Sequence, residues 1–102
     1  MKRLDTEIKT NGHYYKLLRR SEEVALYRQY HPETGQIVGF ELFRIKTRPL
    51  ELISGKEYPS REVYASQSDW GVSAWTLSGN MTEAEALNRF EKYVLELKDG
   101  KN

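Results

Sequence analysis

The sequence predicts an α+β fold: an antiparallel sheet of about four strands with one C-terminal helix packed on one of its faces. Three observations predict it. Runs of alternating, aromatic-rich residues recur between residues 13 and 47, and alternation with period two marks half-buried strands. Turn residues separate these runs at hairpin distances. One apolar stripe at helical spacing closes the chain, and a capping signature opens it.

The elements follow in order. Residues 1–11 open with MKRLDTEIKT, a polar stretch expected to be flexible. Asn11-Gly12 punctuates the start of a first strand, His13 to Arg20, with Tyr15 and Leu17 on one face. Ser21-Glu22-Glu23 is a polar turn. Val24 to Tyr30 alternates next: Val24, Leu26, Arg28 and Tyr30 share one face, and Ala25, Tyr27 and Gln29 take the other. His31 to Gln36 is a turn, because Pro32 fixes its φ and Gly35 tolerates a positive one. Ile37 to Thr47 is the strongest strand. Val38, Phe40 and Leu42 point one way; Ile37, Phe43 and Ile45 point the other. Two readings of that parity stay open: a central strand covered on both sides, or a bulge at Gly39 that swaps the faces.

Arg48-Pro49 ends this strand, since proline cannot donate to a ladder. Leu50 to Ile53 reads as a short extended segment and Gly55 to Arg61 as a loop. Ser66 to Asp69 is a turn or capping cluster. Val72 to Leu77 reads as a last strand with Trp75 and Leu77 on one face. The helix follows from Thr82, a good N-cap with Glu85 three residues later. Leu87, Phe90, Val94 and Leu97 form its apolar stripe, Glu85 and Arg89 an i, i+4 pair, and Asp99-Gly100 its stop. One domain over residues 12–99, with a flexible tail at 100–102, is the expected organisation. Its core is expected to include Tyr15, Leu17, Val24, Leu26, Phe40, Leu42, Trp75, Leu87, Phe90, Val94 and Leu97.

The 102 residues contain no cysteine. Disulfides, thiolate chemistry and sulfur-dependent zinc sites are therefore excluded, and a cytoplasmic location is expected. The first ten residues lack the apolar core of a signal peptide, and no stretch approaches a membrane span. Net charge is +1 but uneven: residues 9 to 61 carry ten Lys/Arg against six Asp/Glu, and residues 62 to 102 four against seven. This suggests a basic sheet and an acidic helix.

No enzyme signature is present. His13 and His31 both sit beside turns, without further ligands converging on them, so neither a metal nor a cofactor is expected. Ser66, Ser68 and Ser73 lie near Asp69 but lack a neighbouring histidine base, and read as turn residues. Glu22 and Glu23 are adjacent, so in a strand they would point to opposite faces and could not share a proton. Glu83 and Glu85 fall in the first helical turn, where the helix dipole accounts for them. The scattered glycines make no phosphate loop.

Two surfaces remain. Arg44, Lys46 and Arg48 alternate along the central strand, with Arg28 and Lys16 on its neighbours, and a basic sheet with tyrosines can stack bases and track phosphates. Trp70 lies in a turn between Asp69 and Gly71, where an exposed tryptophan would anchor a partner and a folded-back one would cap the core.

The run Ser68-Asp69-Trp70-Gly71-Val72-Ser73-Ala74-Trp75-Thr76, with the acidic helix after it, resembles the C-terminal part of a group of small uncharacterised bacteriophage and mobile-element proteins. Tyr15 to Ser21, Ala25 to Gln29 and Gly39 to Phe43 are similar to the strands of that group, so the likeness spans roughly residues 13 to 93. The resemblance implies a small accessory protein acting on a partner, and it brings no catalytic residues.

The expected function is thus a non-enzymatic protein-binding module, with a protein partner or a second copy of itself. Trp70, Phe43, Ile45 and Tyr27 are the expected contact residues, because one helix cannot cover the face of Ile37, Phe43, Ile45 and Tyr27. The alternative is single-stranded nucleic-acid binding by Arg44, Lys46, Arg48 and Arg28.

Overall fold

A computed structural model describes residues 2–10, 12–65, 69–71, 73–78 and 80–99. Among these residues nine strands precede one helix: β1 Glu7–Thr10, β2 His13–Arg20, β3 Val24–Tyr30, β4 Ile37–Arg44, β5 Lys46–Arg48, β6 Glu51–Ile53, β7 Lys56–Tyr58, β8 Arg61–Val63, β9 Ala74–Ser78 and α1 Glu83–Lys98. Five of them form the main antiparallel sheet, in the order β1-β2-β3-β4-β9. The expected α+β class is therefore correct, with one strand more than anticipated.

The extra strand comes from the N-terminus. Residues 1–11 were expected to be flexible, but β1 pairs along β2 from Glu7↔Lys16 to Thr10↔His13. Leu4 and Ile8 pack on the sheet, and Lys2 pairs with Arg61. A four-residue strand with one apolar residue, Ile8, gives little periodicity to detect, yet its amides find partners all the same.

The helix forms as its sequence dictates. Thr82 accepts a hydrogen bond from the Glu85 amide (3.2 Å), and the Glu85 carboxylate accepts one from the Thr82 amide (3.1 Å), which completes a capping box. The amide of Asp99 donates to the Leu95 carbonyl at the C-cap, while Gly100 lies outside the described residues. The buried helix face is broader than the expected stripe: Ala86, Phe90 and Tyr93 are buried, with Leu87, Val94 and Leu97 at its margins.

Both faces of the sheet are buried. On the helix face, Val24, Leu26, Phe40, Leu42 and Leu77 pack with Ala86, Phe90 and Tyr93. On the other, Tyr15, Ala25, Tyr27, Phe43 and Ala74 pack beneath Leu4, Ile8, Leu17, Ile45, Tyr64, Ala65 and Trp70. Central strand β4 is thus covered twice, the first of the two readings of its parity. An irregularity also lies next to Gly39, at Val38: Gln29 pairs with Gly39, but Tyr30 pairs with Ile37. This slip puts Ile37 on the face of Tyr30 and removes it from that of Phe43. A second slip in β2, between Leu17 and Arg19, explains another correction. Tyr15 and Leu17, expected under the helix, lie in the opposite layer, and Leu18 takes the helix side. Trp75 and Leu77 share the helix face as expected, although Val72 lies outside the described residues.

The expected strand Ile37–Thr47 divides at Ile45. β4 stays in the sheet, and β5 leaves it to pair with β8. The four short strands β5 to β8 share one register: Lys46↔Val63, Arg48↔Arg61, Glu51↔Tyr58 and Ile53↔Lys56 are successive rungs of a single hairpin. The same register sets Pro49 opposite Ser60 and Leu50 opposite Pro59. The prolines cannot donate to the ladder, so one arm reads as two small sheets. Ser54 (φ 52°) and Gly55 (φ 78°) close its tip. Positive φ at both positions gives a type I′ turn, which matches strand twist.

Candidate functional site

Burial places the expected contact residues first. Tyr27 and Phe43 are fully buried, and their rings stack 5.8 Å apart at an interplanar angle of 7°. Tyr64 closes over them, with its ring 4.6 Å from Phe43 and 5.2 Å from Tyr27. Ile45 and Trp70 are partly buried against the same cluster. The expectation of an uncovered apolar face is therefore corrected: the root of the arm, Trp70 and the N-terminal segment form a third layer over it. Trp70 folds back in the turn, with Gly71 at φ 85° turning the chain so that its amide reaches the Ala74 carbonyl. Ser66 and Ser68 of the expected turn cluster lie outside the described residues.

A largely buried ion pair fastens that third layer to the sheet. Arg20 on β2 donates twice to Glu62 on β8, at 2.6 and 2.9 Å. The Leu4 amide donates to the same carboxylate at 3.0 Å. These donors, Arg20 foremost, hold the Glu62 carboxyl down to about 2. Tyr27 adds a tie, its hydroxyl donating to the Asp5 carbonyl at 2.6 Å, and burial pushes that hydroxyl up to about 12. Beneath the layer Glu41 is buried and accepts a hydrogen bond from the Tyr64 hydroxyl. Burial raises the Glu41 carboxyl, and burial with the adjacent carboxylate raises the Tyr64 hydroxyl.

The expected basic stripe does not form. Arg44 ends β4 and pairs with Glu23 at 3.4 Å. Lys46 lies on the arm and pairs with Asp69. Arg48 lies further out on the arm, and Arg28 pairs with Glu83 at the start of the helix. The break at Ile45 separates these cations, since alternation carries a stripe only while the strand stays in one sheet.

Two other surfaces emerge. The first is the arm tip, where Leu50, Leu52 and Ile53 are 58%, 72% and 49% exposed. Among the described residues β6 and β7 pair only with each other, which leaves both outer edges of the tip without a strand partner there. The second is a cleft of about 700 Å³ on the helix side of the sheet, beyond the helix N-terminus, lined by Lys9, Tyr14, Lys16, Tyr30, His31 and Pro32 among others. Among the described residues, no group of three His, Asp or Glu side chains is arranged to hold a metal, and no helix is long and apolar enough to cross a membrane.

In comparisons with known proteins, the chain matches no family model, no curated protein and no solved structure.

Proposed function

We propose that the chain is a small non-enzymatic protein-binding module of the cytoplasm, an accessory protein that engages its partner through the tip of the arm. The supporting observation is the exposure of Leu50, Leu52 and Ile53 at the tip of a hairpin, where β6 and β7 pair with no other strand among the described residues. Isolated two-stranded hairpins are marginal in water. Large aliphatic side chains at such a tip gain nothing from the rest of this fold, but they gain burial once a partner covers them. The free edges of β6 and β7 add a second means of recognition, since an extended partner segment can pair with an open edge. The radius of gyration, 14.6 Å, exceeds the roughly 13 Å of a compact chain of this length, as a projecting arm requires.

The test is capture of a partner by the tagged protein from a nuclease-treated lysate, alongside a Leu52→Glu variant. Leu52 is exposed, so the variant folds. A protein that persists through nuclease and is lost with Leu52→Glu supports the proposal. Capture that depends on nucleic acid, or that ignores the substitution, overturns it. Light scattering on both forms tells whether the partner is a second copy.

A further inference from the structure

The cleft rests on different residues and is independent of the arm tip. Strand register builds it in rows. Lys9 pairs with Tyr14, Tyr14 with Tyr30, and Tyr30 with Ile37, so these four cross the sheet in one line. The next line runs Glu7, Lys16, Arg28 and Phe40. The helix starts over the second line, where Glu83 meets Arg28, and leaves the first uncovered.

Both tyrosines are held at their hydroxyls. Tyr14 donates to the Glu7 carboxylate, which raises the Tyr14 hydroxyl, and Tyr30 accepts from Arg28 at 2.8 Å. Their rings meet edge to face, with centroids 6.4 Å apart. Lys9 stands 5.3 Å from the centre of the Tyr14 ring, and Lys16 stands 5.5 Å from Tyr14 and 5.7 Å from Tyr30. Arg28 and Glu7 are engaged with protein groups. Lys9 and Lys16 are exposed and join no ion pair among the described residues. Their flexible stems let the ammonium groups swing from ring to ligand.

We infer that this cleft binds a nucleotide unit, its base stacked on the Tyr14–Tyr30 row and its phosphate held by Lys9 and Lys16. Pinned aromatic rings flanked by mobile cations are the two components of a base-stacking, phosphate-tracking surface. A purely anionic ligand would use the lysines and leave the rings idle. A purely apolar one would strand both ammonium groups. The cleft is open to solvent, so it can admit part of a single strand, and its volume equally admits a free nucleotide.

The test is fluorescence anisotropy with a labelled oligouridine of about ten nucleotides, competed by free uridine and adenosine monophosphates and by polyglutamate. Binding is expected to weaken with salt at a slope near −1.4 for about two phosphate contacts. Lys9→Gln with Lys16→Gln should abolish most of that slope, and Tyr30→Leu should weaken binding about tenfold. The lysine pair is exposed, so its variant keeps the test valid if Tyr30→Leu fails to fold. Tight strand binding with weak monophosphate competition identifies a strand as the source. Equal binding of the monophosphate identifies a free nucleotide, and both results support the site. No binding by the folded protein at low salt overturns the inference, as does competition by polyglutamate equal to that of the strand, or binding unchanged in both variants.

Discussion

Glu62 carries more of the fold than its position on a three-residue strand suggests. Its side chain is only 7% exposed, and it collects two guanidinium hydrogen bonds and a backbone amide. Removing one partner of a buried pair leaves the other unpaired, so Glu62→Gln should cost about 2–3 kcal/mol by denaturant titration at neutral pH. The pH dependence has a definite sign. The folded carboxyl titrates near 2 against an ordinary 4.5. Its contribution is therefore complete above 4.5 and lost as the pH falls towards 2, and the Gln variant should lack that loss. Glu41 works in the opposite direction. Burial raises its carboxyl, so the stability tied to its protonated form is present below 4.5 and lost as the pH rises through the raised value. Glu41→Gln keeps an acceptor for Tyr64 without a buried charge, and should raise stability at neutral pH. Neither role was legible in the sequence. Both depend on partners distant in the chain, Tyr64 for Glu41 and Arg20 and Leu4 for Glu62, which no local pattern reveals.

At the scale of elements, helix and arm differ in what the sequence reveals. The helix is legible because its signals are local: the reciprocal bonds of Thr82 and Glu85 lie three residues apart, and its stripe needs only a period. The arm is hidden because its strands are three residues long and two prolines interrupt its ladder. Ser54-Gly55 was its one available signal, and the long-range rungs of Arg48 with Arg61 supply the rest. The two elements should also respond differently to mutation. Thr82→Ala removes a cap from a helix packed on the core and should lower global stability by about 1 kcal/mol. Gly55→Ala meets no atom within 4 Å but forces a side chain into positive φ. It should strain the tip by about 1 kcal/mol and leave the global unfolding midpoint unmoved, because β6 and β7 pair with no other strand among the described residues. Hydrogen exchange of the Lys56–Tyr58 amides, read beside a thermal melt, separates the two effects.

For the whole molecule, the sheet is a partition between two cores, and its strands serve both. Along β3, Val24 and Leu26 enter the helix side while Ala25 and Tyr27 enter the other; β4 divides Phe40 and Leu42 from Phe43 in the same way. The mixed parity of Ile37 to Ile45 offered this two-sided burial as one of two readings, beside a bulge at Gly39. It did not show what covered the second side, because the cover is assembled from Leu4, Tyr64 and Trp70, which are far apart along the chain. The cleft was hidden for a related reason, since its rows exist only once β1 registers on β2. A shared partition implies cooperative loss: opening either layer exposes strands that the other layer needs in place. The two tryptophans make this measurable, for Trp75 lies on the helix side and Trp70 on the arm side. In Trp70→Phe and Trp75→Phe proteins, each remaining indole reports one core. Equilibrium unfolding followed by fluorescence should give the same midpoint, within a variant, as the loss of helix measured by circular dichroism. If Trp70 loses its signal at lower denaturant than the helix does, the third layer is a separate unit, and the sheet does not couple the two cores.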